Sequence, residues 1–167
     1  MAGTFSRYWR HFVTDRGHVR RAFSQDDLDR VSRAVADGER RHSGQVCFAI
    51  EASLPMQRLW HRLRPRERAL EVFGLLRVWD TEANDGVLLY VLLADRAVEI
   101  VADRGIDARV GDAAWQGICR RIEAAFREGR GADGVAQGIV EISALLAQHS
   151  PRSGSGRNEI PDAPVLL

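Results

Sequence analysis

The chain has 167 residues, is 45% hydrophobic and 28% charged, and carries a net charge of only +1. That length suits one domain, since single cores typically serve roughly 100–200 residues. The balanced charge gives no steering field for a polyanion, and 7% aromatic content leaves little stacking surface, so nucleic acid is not an expected partner.

Residues 1–23 set Phe5, Tyr8, Trp9, Phe12 and Val13 among basic residues, at a spacing that allows a short amphipathic helix. This segment reads either as an arm packed on the domain or as a docking segment for a membrane surface or partner. It does not read as a signal peptide. Arg7, Arg10, Asp15, Arg16, Arg20 and Arg21 break the apolar run of about 7–15 residues that such a peptide needs. The longest uninterrupted apolar run, Val87–Ala94, is far below the ~20 residues of a membrane helix. The expectation is a cytoplasmic protein without a transmembrane segment. Cys47 and Cys119 sit in apolar patterns without zinc or redox spacing, which predicts buried free thiols.

Ser24 can cap a helix that starts at Gln25, with Asp26 and Asp27 near its positive end. Leu28, Val31, Ala34 and Val35 continue it, and Gly44 follows its last basic turn. Gln45–Ala52 reads as a strand that is apolar on both faces and therefore covered on both sides. Pro55 and Pro65 punctuate two helical pieces, 55–63 and 65–77, and Trp60 and His61 are expected to pack among Leu59 and Leu63. Arg58, Arg62, Arg64, Arg66 and Arg68 make a basic face, either solvated or a docking site for phosphate or an acidic partner.

Trp79–Asp85 is a polar loop. Val87–Leu93 is a continuous apolar strand, hence central, and Ala94–Ala97 is a tight turn. Val98–Asp103 returns with one half-polar face, as an edge strand would. Helices follow on the stripes Trp115, Ile118, Cys119, Ile122, Phe126 and Val135, Ile139, Ile142, Leu145, Leu146, with Asp112 placed to cap the first. The order α-β-α-β-β-α-α predicts an α/β fold, a three-layer α/β/α sandwich with a small mixed sheet, over residues 24–150. The first two strands should run parallel through a right-handed crossover, and the third antiparallel to the second. Residues 1–23 are then an N-terminal arm, and 151–167 a flexible tail with a short apolar end, Val165–Leu167.

The loop from Asp80 to Gly86 spaces its oxygen-bearing side chains like the start of a calcium loop, but it departs from an EF-hand: Asp85 stands where the invariant glycine belongs, and Val91 where the bidentate glutamate belongs. Taken alone it reads better as a solvated connection. A hairpin, however, brings the start of its first strand beside the end of its second. Asp103, Asp107 and Asp112 should therefore lie beside this loop as an acidic rim. Converging carboxylates repel unless a cation or a protonated state neutralises them. Asp80, Glu82, Asn84, Asp85, Asp103 and Asp107 are the candidate ligands, and Ca²⁺ or Mg²⁺ the candidate ion. Arg104 and Arg109 offer internal neutralisation instead. Glu51 should fall at the opposite end of the sheet. The five histidines have no metal spacing, and no nucleophile–base pair is evident.

The stretch Leu76–Arg96, with Trp79-Asp80-Thr81-Glu82-Ala83-Asn84-Asp85-Gly86 leading into Val87-Leu88-Leu89-Tyr90-Val91-Leu92-Leu93, followed by Val98-Glu99-Ile100-Val101-Ala102-Asp103-Arg104-Gly105-Ile106, resembles the TPM domain. The resemblance covers about residues 24–150 and is most specific over the hairpin. It implies an α/β/α sandwich. Family members include thylakoid-lumen acid phosphatases linked to photosystem repair, calcium binders, and modulators of membrane receptors. Most carry a signal peptide and often a membrane anchor, neither of which is read in this sequence. The family motif maps its acidic turn to Asn84, Asp85 and Gly86, and its exit to Asp103, Gly105 and Asp107.

Two functions are carried forward. One is a divalent-cation-dependent, phosphatase-like hydrolase acting on a phosphorylated small molecule, with Asp85 and Asp103 catalytic and Arg104 clamping phosphate. The other is a non-enzymatic regulatory or protein-interaction module, with or without a bound cation.

Overall fold

Val46–Glu51 (β1) and Val87–Leu92 (β2) are buried at every position. Neither strand has a solvent face, so helices must cover both sides of the sheet. β1 and β2 run parallel, with Val46 opposite Val87 and Glu51 opposite Leu92. β2 turns back into the antiparallel Ala97–Ala102 (β3), with Val87 opposite Ala102. The computed structural model describes residues 2–152 and 159–167. Among these the strand order is β3-β2-β1-β4, where β4 is Val165–Leu166.

Strand alternation sorts the core into two layers. Val46, Phe48, Ile50, Val87, Leu89, Val91, Val98 and Ile100 face one side. There they meet Val31 and Val35 of Gln25–Glu39 (α3), Trp115, Ile118 and Ile122 of Asp112–Arg127 (α7), and Val135, Ile139, Ile142 and Leu146 of Gly131–His149 (α8). Cys47, Ala49, Leu88, Tyr90, Leu92 and Val101 face the other side, against Leu59 of Met56–Trp60 (α4), Ala69 and Val72 of Pro65–Leu75 (α5), and Ile160. The expected α/β/α sandwich with a mixed sheet is therefore the fold, with β2 central and β3 at an edge. Ser24 caps α3 as its position predicts: its hydroxyl accepts from Asp27 N at 3.2 Å, and the Asp27 carboxylate accepts from Ser24 N at 3.0 Å. Both cysteines are free thiols.

Four expectations change. Trp60 does not pack; it is 69% exposed, because α4 buries only Leu59 and turns its other side outward. Asp112 does not cap α7. Gly111, at φ 86°, takes that position, and Asp112 stands in the first turn. Arg104–Val110 forms a short helix (α6) with Asp103 at its N-cap. Its one buried residue, Ile106, makes no periodic stripe for a sequence pattern to reveal. The apolar chain end is not only the close of a tail. Val165 and Leu166 pair in parallel with Ala49 and Ile50 and cover the edge that β1 would otherwise expose. The rest of the expected flexible tail, residues 153–158, lies outside the described residues.

The N-terminal segment forms two helices, Ala2–Val13 (α1) and Arg16–Ala22 (α2). α1 is docked at the β2–β3 turn by polar groups. Arg7 binds Asp95 through Nε (3.0 Å) and Nη2 (2.7 Å), and Tyr8 Oη donates to Leu59 O at 3.2 Å. Leu54 N donates to His11 Nδ1 at 2.9 Å, which places the ring proton on Nε2, 3.1 Å from Asp95 Oδ1. Burial alone would raise the Asp95 pKa. The His11 and Arg7 hydrogen bonds, with the Arg7 charge, outweigh it and hold the carboxyl down at about 2.

Gly86 joins the acidic loop to β2 and leaves less room for a Cβ than any other glycine among the described residues. A Cβ there would stand 1.9 Å from the main-chain Val78 O. Backbone cannot yield as a side chain can. Gly86→Ala is expected to cost at least ~3 kcal/mol or abolish folding, measured by urea denaturation.

Candidate functional site

The hairpin does bring the loop and the exit together. Asp103 N donates to Gly86 O at 2.8 Å, and a Cβ on Gly105 would lie 2.6 Å from Asn84 O. Asn84 adopts φ 53°, a left-handed conformation that asparagine tolerates better than most residues. Thus Asn84, Gly86, Asp103 and Gly105 form one corner at the start of β2.

The side chains do not converge in the same way. Asp85 points inward and is 1% exposed. Its Oδ2 accepts from Ser43 Oγ at 2.9 Å and from Ser150 Oγ at 2.8 Å, and the two hydroxyls are 2.7 Å apart. Its main-chain N donates to Thr81 Oγ1 at 3.2 Å. Asp85 therefore ties the entry to β1 and the end of α8 to the start of β2. Asp80 pairs with Arg77 at 2.5 Å. Glu82 engages through its main-chain N, which donates to the Glu159 carboxylate at 3.1 Å. Asp107 accepts from Trp115 Nε1 at 3.0 Å. Arg109 donates to Gly105 O and His149 O, closing main-chain ends rather than neutralising the acids. Asp112 bonds Gln116.

Asp103 is the exception. Its Oδ1 accepts from Arg104 N at 2.6 Å as an N-cap, while Oδ2 is buried without a hydrogen-bond partner. The Arg104 guanidinium, on the exposed side of α6, makes no hydrogen bond or ion pair among the described residues. Among the described residues, no group of three or more His, Cys, Asp or Glu side chains is arranged to hold a metal.

Beneath the corner lies a layer of polar groups that sequence spacing does not reveal. His42 is buried, with Nδ1 donating to Gly44 O at 2.9 Å and Nε2 without a partner. Ser143 Oγ is likewise buried and unpartnered. Both approach Gly38, whose Cβ would lie 2.1 Å from Ser143 Oγ and 3.2 Å from His42 Nε2. Burial pushes His42 down to about 4, against the Gly44 carbonyl, which favours the charged ring. Glu39 accepts from Val46 N at 3.4 Å. Burial first, then the charge of Asp162, pushes its carboxyl up to about 7. Ser43, Ser150 and His42 lie just outside elements that converge only in the folded sheet, and Glu39 is the last residue of α3. Their one local signal is a polar residue at the end of an apolar run.

Glu51, expected at the far end, is there. Its carboxylate accepts from Tyr90 Oη at 2.6 Å and from Arg68 Nε and Nη2 at 2.9 and 3.0 Å. Burial first, then the hydrogen bond to Glu51, raises the Tyr90 phenol well above its ordinary value. Arg68 is held protonated, chiefly by that same carboxylate.

These shifts set opposite slopes of stability with pH. Glu39 is raised in the fold, so its contribution is complete below its unfolded value near 4.5 and is lost as pH rises through about 7. His42 is depressed, so its contribution is present above 6.5 and is lost as pH falls toward about 4. The two oppose each other between these limits. Glu39→Gln should therefore gain on the native chain steadily as pH is raised from ~5 to ~8, measured by thermal melts. A pH-independent difference between the two chains would refute the buried-carboxyl account.

The family model of the TPM domain matches residues 18–145. The BA42 protein of the psychrophilic bacterium Bizionia argentinensis, solved by NMR, superposes with a TM-score of 0.76 at 25% identity, covering 87% of this chain and 95% of that one. The N-terminal domain of a protein from P. gingivalis, also solved by NMR, shares the fold at a TM-score of 0.63 and 17% identity, covering 78% of this chain and 82% of that one. No curated protein matches the chain in sequence. The hairpin, the sandwich around it and the match over residues 18–145 agree: this chain belongs to the TPM domain family.

Proposed function

We propose that this chain is a non-catalytic binding module of the TPM family, whose acidic corner serves recognition rather than hydrolysis. The observation that carries this reading is Asp85. The acid at the centre of the motif is buried and accepts from two serine hydroxyls, so it serves the fold and cannot orient a water against substrate. Other groups of hydrolytic chemistry are similarly committed. The Cys47 thiol is pushed up to about 11 by burial, and Cys119 to about 12, so neither is a thiolate nucleophile at neutral pH. His42 is enclosed and uncharged, with no hydroxyl in hydrogen-bonding reach of Nε2.

One feature favours a cation as ligand of the same corner. Asp103 Oδ2 has no hydrogen-bond partner, at the corner where Asp103 N meets Gly86 O. A single carboxylate does not make a calcium cage, which takes about 6–8 oxygens. It does suit Mg²⁺, which keeps most of its water and uses one or two carboxylates. Arg104, free at the same corner, suits an anionic group brought by a partner or by a phosphorylated small molecule.

Phosphate-ester assays with the purified chain and Mg²⁺ or Ca²⁺ are expected to show no turnover above a protein-free blank. Turnover that Asp103→Asn abolishes would establish the hydrolase instead. Asp85→Ala is expected to lower stability by about 2–3 kcal/mol in urea denaturation, since it strands two buried hydroxyls. The cation reading predicts that Mg²⁺ raises the melting temperature of the native chain and not of Asp103→Asn. Equal shifts in both would remove Asp103 from the site.

A further inference from the structure

α1 is inside out for a packed helix. Its buried side carries Arg7, Tyr8 and His11, which bond Asp95, Leu59 O and Leu54 N. Trp9, Phe12 and Val13 face solvent. Trp9 is 59% exposed and Phe12 is 72% exposed, with ring centroids 6.0 Å apart, and Val13 is exposed beside them. Ordinary docking would bury the aromatics and leave the arginines in water, because burial of each aromatic is the larger gain. Here the polar contacts hold the helix in place and leave the aromatic pair without a partner.

The surroundings of this face are basic. Besides Arg7, which Asp95 neutralises, residues 1–23 contain Arg10, Arg16, Arg20 and Arg21 against the single acid Asp15. Arg16, Arg20 and Arg21 are exposed on α2, which follows directly. α4, which α1 touches, adds exposed Met56 and Trp60, and Arg62 and Arg64 follow it. Of these two, neither forms an ion pair among the described residues. Exposed tryptophan and phenylalanine flanked by arginine, on a helix too short and too polar to cross a bilayer, are the elements of interfacial binding. No helix among the described residues is long and apolar enough to span a membrane.

We infer that α1, with the adjoining α2 and α4, docks the domain on an anionic lipid surface, Trp9 and Phe12 entering the headgroup region while the arginines meet lipid phosphates. The sheet supplies the orientation. α1 is fixed at Asp95, beyond the end of β2, whereas the acidic corner lies at its start. An anionic surface attracts the first end, so the corner at the opposite end of β2 faces away from the membrane. This surface stands apart from the corner proposed above and does not depend on its ligand.

The test is flotation of the full chain with phosphatidylcholine vesicles, with and without phosphatidylglycerol, beside sedimentation equilibrium without lipid. The native chain should bind only the anionic vesicles, and less at high salt. Trp9→Glu with Phe12→Glu should weaken partition by roughly a hundredfold while leaving the melting temperature unchanged, because both side chains are exposed. Failure of the native chain to float, or flotation equal in the double variant, overturns the inference. A dimer that the double substitution dissolves, without vesicle binding, assigns the face to a second copy and overturns it too.

Discussion

β2 has no side that faces water. That constraint organises the rest. A strand buried on both faces cannot lie in a two-layer fold, so the chain supplies α3, α7 and α8 to one face and α4 and α5 to the other. It cannot lie at an edge either, so β1 and β3 flank it. β1 shares the problem, and its outer edge is closed by the chain's own end, with Leu167 N donating to Ile50 O at 2.9 Å.

The two ends of this sheet have opposite chemistry. At the start of β2, acids and small hydroxyls are folded inward. Asp85 closes the interior seam between α8 and β1, and Asp103 keeps a buried oxygen without a hydrogen-bond partner. At the other end, Asp95 and Glu51 are each surrounded by donors: Arg7 and His11 around one, Arg68 and Tyr90 around the other. A buried carboxylate is tolerated only with such partners. The acidic end thus spends most of its carboxylates on the fold. The basic end spends Asp95 on holding α1 and Glu51 on holding α5, and leaves aromatic surface outside.

The hairpin was legible because its signals are local: a continuous apolar run, a tight turn and a half-polar return strand. β1 was legible for the same reason. The proximity of Asn84 to Asp103 followed from antiparallel pairing alone. What escaped was the direction of side chains. Nothing near Asp85 in sequence shows that Ser43 and Ser150, which lie on either side of it along the chain, close over its carboxylate. Nothing near Trp9 shows that Asp95 draws the opposite side of its helix inward. α6 was hidden because one buried isoleucine makes no period.

The sequence by itself determined the family, the layers of the sandwich and the order of its principal strands. Those depend on periodicity and turn chemistry, which act over a few residues. Only the tertiary structure decided what the acids do and which side of α1 meets water. Both are settled by partners far away in the chain, where the cost of burying an unpaired charge outweighs any local preference.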